Sequence, residues 1–381
     1  MKRYTTLAAT IALILGASGT VQAGNVADVN QKGTNNTADV SQTNSAEAMF
    51  ATVNTAGQDN FAGIVQNDSH GASATINQDG SFNDAYIENR NISDGAVSTV
   101  NQSGSANFAE IVTDNSDGAI STANQDGDSN VAYIDVENSF SVMGETNQTG
   151  SGNQASIAQI EFSDDSVATS TQEGVENIAD IVQNEAEASD ATVVQVGDFN
   201  DASIWQDNGN GNIAYIDQLG NSAFADAYQE GVTNDASIYQ EEADYSWASI
   251  GQSGDSNVGL IDQHLSFEAI STIEQSGSSN EATIYLFDSD GGQSSISQSG
   301  AGNGAVVDID SSFYTAADVT QVGSANVAFI EQLEFSDNST ASTSQHGTGN
   351  SAMTFQYDTT DASATIAQGS TQPGSADNLA L

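Results

Sequence analysis

The sequence has no cysteine, one proline and only four lysines and arginines among its 381 residues. Without cysteine, no disulfide can stabilise the fold in an oxidising compartment. With so few basic residues, the chain lacks the groups that bind nucleic acid by neutralising its phosphates. Its 52 acidic residues give a formal net charge of −48, and hydrophobic residues make up 37% of the chain. Low hydrophobicity combined with high net charge is by itself typical of disordered proteins.

The first 23 residues differ in character from everything that follows. Lys2 and Arg3 precede the short apolar stretch Leu7–Leu15, and Val21-Gln22-Ala23 has the small-x-Ala pattern of a cleavage site. This arrangement predicts a secretory signal peptide over residues 1–23, which is too short to span a membrane. We therefore expect the protein to leave the cytosol as a mature chain that begins near Gly24.

The motif Gln-x-Gly-x-x-Asn-x-Ala-x-Ile recurs 14 times, at steps of 23 or 24 residues with a single step of 34. Its Gly and Asn are present in every copy, and its first position is Gln in 13 copies, with Thr55 as the exception. Disordered sequence does not keep several offsets in register over such a length, so the motif predicts an ordered repeat architecture. The copies begin at residues 31, 55, 78, 102, 125, 148, 172, 195, 229, 252, 275, 298, 321 and 345.

Within each copy the fixed residues are two apart, which places Asn107, Ala109 and Ile111 on one face of a strand. The glycine before them, Gly104 in this copy, fits a turn with positive φ. The second half of each period is a weaker version that ends in small-x-aliphatic-x-Gln. Each period therefore predicts strand, turn, strand and turn. We call the strand after the Gly and Asn of the motif the strong strand.

These patterns predict an all-β fold over residues 24–381: a β-solenoid of stacked strand-turn-strand coils, each of about 23 residues. Two parallel, in-register, amyloid-like sheets would face each other, with identical residues about 4.8 Å apart and their amides forming ladders. The step of 34 residues equals one period plus half a period. We expect this extra half-turn, near 207–228, to move the strong strand to the opposite sheet after Gln229.

The predicted stacking ladder and the predicted turns consist of equivalent residues from each copy. The ladder glutamines are Gln31, Gln78, Gln102, Gln125, Gln148, Gln172, Gln195, Gln229, Gln252, Gln275, Gln298, Gln321 and Gln345. The ladder asparagines are Asn36, Asn60, Asn83, Asn107, Asn130, Asn153, Asn177, Asn200, Asn234, Asn257, Asn280, Asn303, Asn326 and Asn350. The turn glycines are Gly33, Gly57, Gly80, Gly104, Gly127, Gly150, Gly174, Gly197, Gly231, Gly254, Gly277, Gly300, Gly323 and Gly347.

The repeated motif, as in residues 195–206, resembles the curlin repeat of curli subunits over nearly all of the chain from Gly24 onward. The resemblance implies a secreted structural subunit of a functional amyloid fibre (a curli-type fimbrium) in biofilm matrix and cell adhesion. It also implies export through an outer-membrane pore and a nucleator subunit at the surface of a Gram-negative-type bacterium. In that family the stacked residues that correspond to Gln102 and Asn107 drive assembly. Familiar curlin subunits carry a Gly-rich export segment, whereas residues 25–31 here are already half a repeat.

No motif points to catalysis. His70, His264 and His346 are far apart at non-equivalent places in the period, so we expect exposed or turn positions for them rather than catalytic or metal-binding roles. The sequence has no P-loop, HExxH or calcium-loop motif. We therefore expect no enzyme activity, cofactor-binding site or dedicated metal site.

The second turn of each period is acidic, and stacking would bring its carboxylates close together. One interpretation is that these charges keep the secreted monomer soluble; the other is that salt or divalent cations gate assembly by screening or bridging them. The acidic residues of this turn are Asp68, Asp94, Asp117, Asp164, Asp165, Glu185, Glu187, Glu241, Asp244, Asp288 and Asp337.

Two other functional classes remain to be weighed. A monomeric, capped β-solenoid could act as a secreted adhesin or other binding protein, and outward aromatic residues such as Tyr133, Trp205 and Tyr239 could form its adhesive face. Such a solenoid needs atypical capping segments, whereas the repeats here run almost to the C-terminus. A polysaccharide-cleaving enzyme on a β-helix would need more basic residues to engage acidic sugars than this chain has.

Overall fold

The computed structural model describes residues 10–15, 24–44, 47–91, 93–369 and 379–380. These residues form strands joined by short turns. This part of the chain contains no helix, and therefore no helix that is long and apolar enough to cross a membrane. The chain divides into two compact units, Met1–Ser189 and Asp190–Leu381, and both are built from the same kind of coil.

The first unit consists of strands β1 to β15, with alternate strands belonging to two different parallel sheets. The strands are β1 Thr10–Leu15, β2 Val26–Thr34, β3 Thr37–Thr43, β4 Phe50–Gln58, β5 Phe61–Asn67, β6 Ser73–Ser81, β7 Asp84–Arg90, β8 Val97–Ser105, β9 Phe108–Asp114, β10 Ile120–Asp128, β11 Val131–Glu137, β12 Met143–Ser151, β13 Gln154–Ile160, β14 Val167–Val175 and β15 Ile178–Glu187. Odd-numbered strands pair with odd-numbered strands and even with even. Each strand therefore hydrogen-bonds to the equivalent strand of the next coil.

The second unit consists of strands β16 to β32 and follows the same rule. Its strands are β16 Asp190–Asp198, β17 Asp201–Asn210, β18 Ile213–Leu219, β19 Phe224–Val232, β20 Asp235–Glu241, β21 Trp247–Asp255, β22 Val258–His264, β23 Ile270–Ser278, β24 Glu281–Phe287, β25 Gln293–Ala301, β26 Gly304–Asp310, β27 Ala316–Ser324, β28 Val327–Leu333, β29 Thr340–Thr348, β30 Ser351–Tyr357, β31 Ser363–Gly369 and β32 Leu379–Ala380. The predicted β-solenoid of two parallel sheets, with about 23 residues per turn, is confirmed.

Neighbouring strands are in register, so equivalent residues of the repeat lie side by side. Gln102 of β8 pairs with Gln125 of β10, which pairs in turn with Gln148 of β12. Side chains alternate between the two faces of each strand, as the spacing of two predicts. Ala109 and Ile111 are fully buried between the sheets, whereas Tyr133 is 45% exposed on an outer face. The core is therefore a narrow interior filled by the fixed residues of the repeat.

Each coil has two different turns, which we call the Gly–Asn edge and the Ser–Asp edge. The Gly–Asn edge contains the motif's Gly and Asn, such as Gly127 and Asn130, and the Ser–Asp edge contains residues such as Ser116 and Asp117. The predicted turn glycines all have φ between 106° and 128°. A Cβ atom on Gly127 would lie 2.0 Å from the carbonyl oxygen of Gly150 in the next coil. Both the backbone conformation and the close approach of the coils therefore require glycine there.

The strong strand changes sheets within the second unit. The strong strand β17 lies in the odd-numbered sheet, but β18, which follows the additional turn 207–212, is also strong and pairs with β16 and β20. The pairing of β17 with β19 shifts register between Asp207 and Gly209. The strong strand after Gln229, β20, therefore lies in the sheet opposite to β17, as the extra half-turn predicts. The exchange begins at residues 207–212, where a second Gly–Asn turn directly follows β17 in place of a Ser–Asp turn.

Candidate assembly site

Buried glutamines of successive coils are linked by their side-chain amides. Nε2 of Gln102 donates to Oε1 of Gln125 at 2.9 Å and also to the carbonyl oxygen of Asp84, on the facing sheet, at 2.9 Å. The same link joins Gln78 to Gln102 and Gln125 to Gln148, and these side chains are at most 3% exposed. Each Nε2 thus uses one hydrogen along the column and the other across the core.

The amide links run in a single direction, because Nε2 always donates to the glutamine of the next coil toward the C-terminus. A glutamine whose predecessor is another residue should then have an Oε1 atom without a donor. Four glutamines other than Gln31 have a buried Oε1 without a partner. Each of the four follows a position that lacks glutamine: Gln42 follows Leu15, Gln78 follows Thr55, Gln159 follows Val136 and Gln332 follows Ile309. The columns are therefore polar, with acceptors at their N-terminal ends.

Gln31 is a predicted ladder residue that makes no ladder contact. The next residue in its column is Thr55, whose hydroxyl does not provide the link that a glutamine would. Both amide atoms of Gln31 and the hydroxyl of Thr55 are buried without hydrogen-bond partners. A single residue that departs from the motif therefore leaves polar atoms unpaired on both sides of it.

In the second unit the predicted glutamines are divided between a column in the even-numbered sheet and a column in the odd-numbered sheet. Gln195 donates to Gln218 in one sheet, whereas Gln229 accepts from Gln206 in the other. The columns also contain glutamines near the ends of the strong strands, together with Gln368 of the weaker strand β31, and all of these were outside the predicted ladder. They are Gln42, Gln66, Gln159, Gln183, Gln206, Gln218, Gln240, Gln263, Gln332, Gln356 and Gln368. The sequence signal for them is the small-x-aliphatic-x-Gln ending of each half-period.

The asparagines form columns along the Gly–Asn edge. Oδ1 of Asn130 accepts the backbone N–H of Asn153 at 3.1 Å and its Nδ2 at 3.2 Å, while Nδ2 of Asn130 donates to the carbonyl oxygen of Gly150 at 3.1 Å. Asn130 is fully buried. These contacts satisfy backbone groups of the neighbouring turn that the strand ladder leaves unpaired, and comparable contacts recur through each unit.

The asparagines do not form one uninterrupted column. Oδ1 of Asn200 accepts the N–H of Ala223 at the Ser–Asp edge of the next coil, at 3.1 Å. The second unit's column begins instead with Asn212, whose Oδ1 accepts the N–H of Asn234 at 2.9 Å. Asn212 was outside the predicted set because it belongs to the additional half-period, where Gln206 stands six residues before it instead of five.

The Ser–Asp edge contains a hydrogen-bonded column that the sequence analysis did not identify. Oγ of Ser116 accepts the N–H of Ser139 at 3.1 Å, and Oγ of Ser139 accepts the N–H of Ser163 at 3.1 Å. All three serines are fully buried. A recurring serine at the 23- or 24-residue period was the available signal. This column satisfies turn backbone groups in the way the asparagines do at the opposite edge.

The acidic residues of this edge also contact the backbone of the neighbouring coil. Oδ1 of Asp94 accepts the backbone N–H of His70, and Oδ1 of Asp117 accepts the backbone N–H of Asp94, both at 2.8 Å. The same contact joins Asp244 to the N–H of Asn221 at 2.7 Å. These carboxylates therefore stabilise the stacked turn by hydrogen bonding, while their like charges oppose the stacking.

An additional asparagine ladder lies on the outer face of the even-numbered sheet in the first unit. Each of these residues precedes a Gln position, and Nδ2 of Asn101 donates to Oδ1 of Asn124 at 2.8 Å. The ladder borders a shallow groove of about 810 Å³, whose lining also includes the two residues that follow each asparagine in the same strand. Its members are Asn30, Asn54, Asn77, Asn101, Asn124 and Asn147. The recurring Asn before the motif was visible in the sequence.

Carboxyl groups on the outer faces carry an electrostatic cost. Burial raises the pKa of Asp135, with a smaller contribution from Glu137, while Arg90 lowers it. Burial likewise raises the pKa of Asp308, with additional repulsion from Glu331. Burial and then the charge of Asp217 raise the pKa of Tyr215 to about 12. Protonation therefore favours the stacked state at these positions.

The histidines lie at separate places in the described part of the chain. Nδ1 of His264 is 3.2 Å from a carboxylate oxygen of Glu241, and its ring stacks on that of Phe287 with 5.1 Å between centroids. The N–H of His70 donates to Asp94 as described above. Within the described ranges, no group of three or more His, Cys, Asp or Glu side chains is arranged to hold a metal ion.

Comparison with known families identifies one segment of the chain. Residues 186–220 match the sequence model of the curlin associated repeat. The segment spans β16, β17 and β18, including the turn at which the strong strand changes sheets. A comparison with curated proteins finds no match. The curlin associated repeat thus confirms the resemblance stated from the motif, and both this repeat and the solenoid are structural in character.

Proposed function

We propose that this curlin-repeat protein is a structural subunit of an extracellular, curli-like amyloid fibre that grows by end-to-end strand addition. The observation that carries the proposal is the polar column of buried amides, which ends at Gln42 with an acceptor that has no donor. A strand edge with unpaired backbone and side-chain groups is a template for another strand. A second chain of the same repeat supplies both the strand and the donors.

The resemblance to curli subunits supports the biological setting of the proposal. The fibre would contribute to biofilm matrix and surface adhesion at the surface of a Gram-negative-type bacterium. An outer-membrane secretion pore and a curli-type nucleator subunit are the partners that the resemblance implies. Export depends on the predicted signal peptide, of which residues 1–9 and 16–23 lie outside the described part of the chain. Assembly itself requires no enzyme activity.

Fibre growth can be tested with the purified chain that begins at Gly24. We expect slow spontaneous fibre formation, acceleration by preformed seeds, and a cross-β reflection at about 4.7–4.8 Å. Seeds made from the same chain should be elongated at their ends when imaged. A chain that stays monomeric and soluble at high concentration, with or without seeds, would contradict the proposal.

The acidic Ser–Asp edge makes assembly sensitive to ions in this proposal. Carboxylates such as Asp94 and Asp117 repeat from coil to coil, and screening by salt or bridging by divalent cations should lower their repulsion. We expect shorter half-times of fibre formation in high salt or millimolar calcium than in low salt. Equal half-times in all three conditions would leave the charges a role in keeping the secreted monomer soluble.

A monomeric adhesin or other binding protein is the second candidate. One observation favours it: short strands pair with coils near both ends of the repeat array, β1 with β3 and β32 with β30. Outward aromatic residues such as Tyr133, Trp205 and Tyr239 are 40% to 48% exposed and could form its binding face. Sedimentation of the chain from Gly24 as a stable monomer, with no response to seeds, would favour this candidate.

A further inference from the structure

Two tyrosines lie in ring contact on the outer face of the even-numbered sheet in the second unit. Tyr215 of β18 and Tyr239 of β20 have ring centroids 5.5 Å apart, with 43° between the ring planes. That separation is within the range of aromatic pairs in direct contact. The two strands are neighbours, and their register places Tyr239 opposite Asp217, which is two residues beyond Tyr215 and on the same face. The fold itself therefore holds the two phenols together.

A carboxylate adjoins this pair. The hydroxyl of Tyr215 donates to Oδ2 of Asp217 at 3.3 Å. Oδ1 of Asp217 is buried without a hydrogen-bond partner, and burial raises the pKa of this carboxyl. Asp217 is therefore a better proton acceptor than an ordinary carboxylate, and it already contacts the phenolic proton of Tyr215.

The pair differs from every other ring contact among the described residues, because it alone joins two phenols. A phenol loses an electron and a proton far more readily than a phenyl ring, and Tyr239 is 40% exposed, so a dissolved oxidant can reach it. Each of the other ring contacts includes a phenylalanine. They are Phe108 with Tyr133, Tyr245 with Phe267, His264 with Phe287, and Phe355 with Tyr357.

We propose that Tyr215 and Tyr239 form an oxidative cross-linking site, at which a haem peroxidase with hydrogen peroxide joins them as dityrosine. Each phenol loses one electron and one proton; the proton of Tyr215 passes to Asp217 and that of Tyr239 to water. The two phenoxyl radicals form one carbon–carbon bond between ortho positions, and each ortho hydrogen moves to its phenolic oxygen. Hydrogen peroxide takes up the two electrons with two protons and becomes two molecules of water.

The bond connects neighbouring coils at the point where the strong strand enters the even-numbered sheet. In that sheet β18 is the first strong strand and β20 is the next. The hydrogen bonds between them can open on unfolding, whereas a carbon–carbon bond is not reversed by reductants. Oxidation thereby fixes the register of β18 against β20. The cross-link lies within one chain and does not depend on fibre growth, so it goes beyond the proposed function.

Oxidation of the chain that begins at Gly24 tests the site. The folded chain would be treated with peroxidase and hydrogen peroxide as a mixture of isotopically labelled and unlabelled copies, then cleaved at acidic residues for mass spectrometry. We expect a peptide pair joined between Tyr215 and Tyr239, two hydrogens lighter than the separate peptides and at least tenfold more abundant than any other joined tyrosine pair. Both halves of that pair should have the same label. Oxidation in urea, which separates the strands, should abolish this preference.

Two variants separate ring contact from exposure. Tyr239→Phe keeps the ring and removes one phenol, so the cross-link should be lost while the circular dichroism spectrum is unchanged. Adding Phe108→Tyr to that variant places a second phenol beside Tyr133, where the ring centroids are 5.4 Å apart. A new cross-link between residues 108 and 133 should then appear, and its absence would count against ring contact as the determinant.

Three results would overturn the inference. They are joining of other tyrosines as often as Tyr215 and Tyr239, joining mainly between labelled and unlabelled chains, and oxidation of both tyrosines without a bond between them. Failure of the chain to form fibres would bear only on the proposed function, because the cross-link requires a single folded chain.

Discussion

The two edges of each coil perform the same task with different residues. Both must satisfy turn backbone groups that the strand ladders leave unpaired. The Gly–Asn edge does so with an amide that accepts two hydrogen bonds and donates one to the next turn, as at Asn130. The Ser–Asp edge does so with a hydroxyl and a carboxylate, as at Ser116 and Asp117.

The difference lies in how closely the neighbouring coils approach. At the Gly–Asn edge a Cβ on Gly127 would meet the next backbone at 2.0 Å, whereas at the Ser–Asp edge a Cβ on Gly118 has its nearest atom, Oγ of Ser141, at 3.8 Å. The first edge therefore admits one residue type at its glycine and keeps its motif in every copy. The second edge has room for variation, and its sequence varies accordingly.

The largest contrast should come from Gly127→Ala and Gly118→Ala in the same coil region. At Gly127 the new methyl group meets the carbonyl of Gly150 and adopts a strained positive φ, so we expect a loss of roughly 4 kcal/mol. At Gly118 only the left-handed conformation opposes alanine, at a cost of about 1–2 kcal/mol. Urea denaturation with amide hydrogen exchange of β10 and β11 measures both. Equal losses would contradict the difference in coil approach.

Removing the Asn or Ser side chains that hydrogen-bond to the backbone of the next turn should give the next largest difference in stability between the two edges. Asn130→Ala leaves the N–H of Asn153 and the carbonyl of Gly150 without their partners, and we expect a loss of roughly 3 kcal/mol. Ser139→Ala removes one accepted bond, from the N–H of Ser163, and should cost about 1 kcal/mol. The same measurements apply. A serine variant as damaging as the asparagine variant would show that both edges contribute equally.

Repairing the glutamine column that is interrupted at Thr55 should stabilise the first unit. Thr55→Gln would let Gln31 donate to residue 55 and residue 55 donate to Gln78. This gives partners to two atoms that are buried without them, Nε2 of Gln31 and Oε1 of Gln78, and removes the unpaired hydroxyl of Thr55. We expect a gain of about 1–2 kcal/mol. Thr113→Gln is the matched control, because its column neighbours are Asn89 and Val136. A gain at residue 113 as large as at residue 55 would mean that burial of a longer side chain, and not the ladder, is responsible.

The smallest expected effect concerns the outer faces between the two edges. Because burial raises the pKa of Asp135, this carboxyl contributes stability that is present at low pH and is lost as the pH rises through its folded-state pKa. Asp135→Asn should raise stability at neutral pH by less than about 1 kcal/mol, since solvent screens a half-exposed group. Urea midpoints from pH 4 to pH 8 should therefore fall less for the variant than for the parent chain. A parallel pair of curves would contradict this assignment.

The comparison also shows how far sequence reasoning extends. The Gly–Asn edge was predicted because its Gly and Asn recur without exception, and a fixed residue type at a fixed offset signals a conformational requirement. The serines of the Ser–Asp edge were missed because alanine replaces serine in some coils, as at Ala186 and Ala243. Their role depends on the hydroxyl reaching the next coil's N–H, which the residue type alone does not reveal.

Local spacing determined the strands, their buried faces, the glycine turns and the 23-residue coil, because alternation of side chains and positive φ are properties of the backbone near each residue. The step of 34 residues also predicted that the strong strand changes sheets. Only the tertiary structure decided which glutamines share a column and in which direction their amides point. Those features depend on which coil lies beside which, and an amide is oriented by the residues on both sides of it. The unpaired Oε1 of Gln42 became visible for the same reason, since it reflects the neighbour that this position lacks.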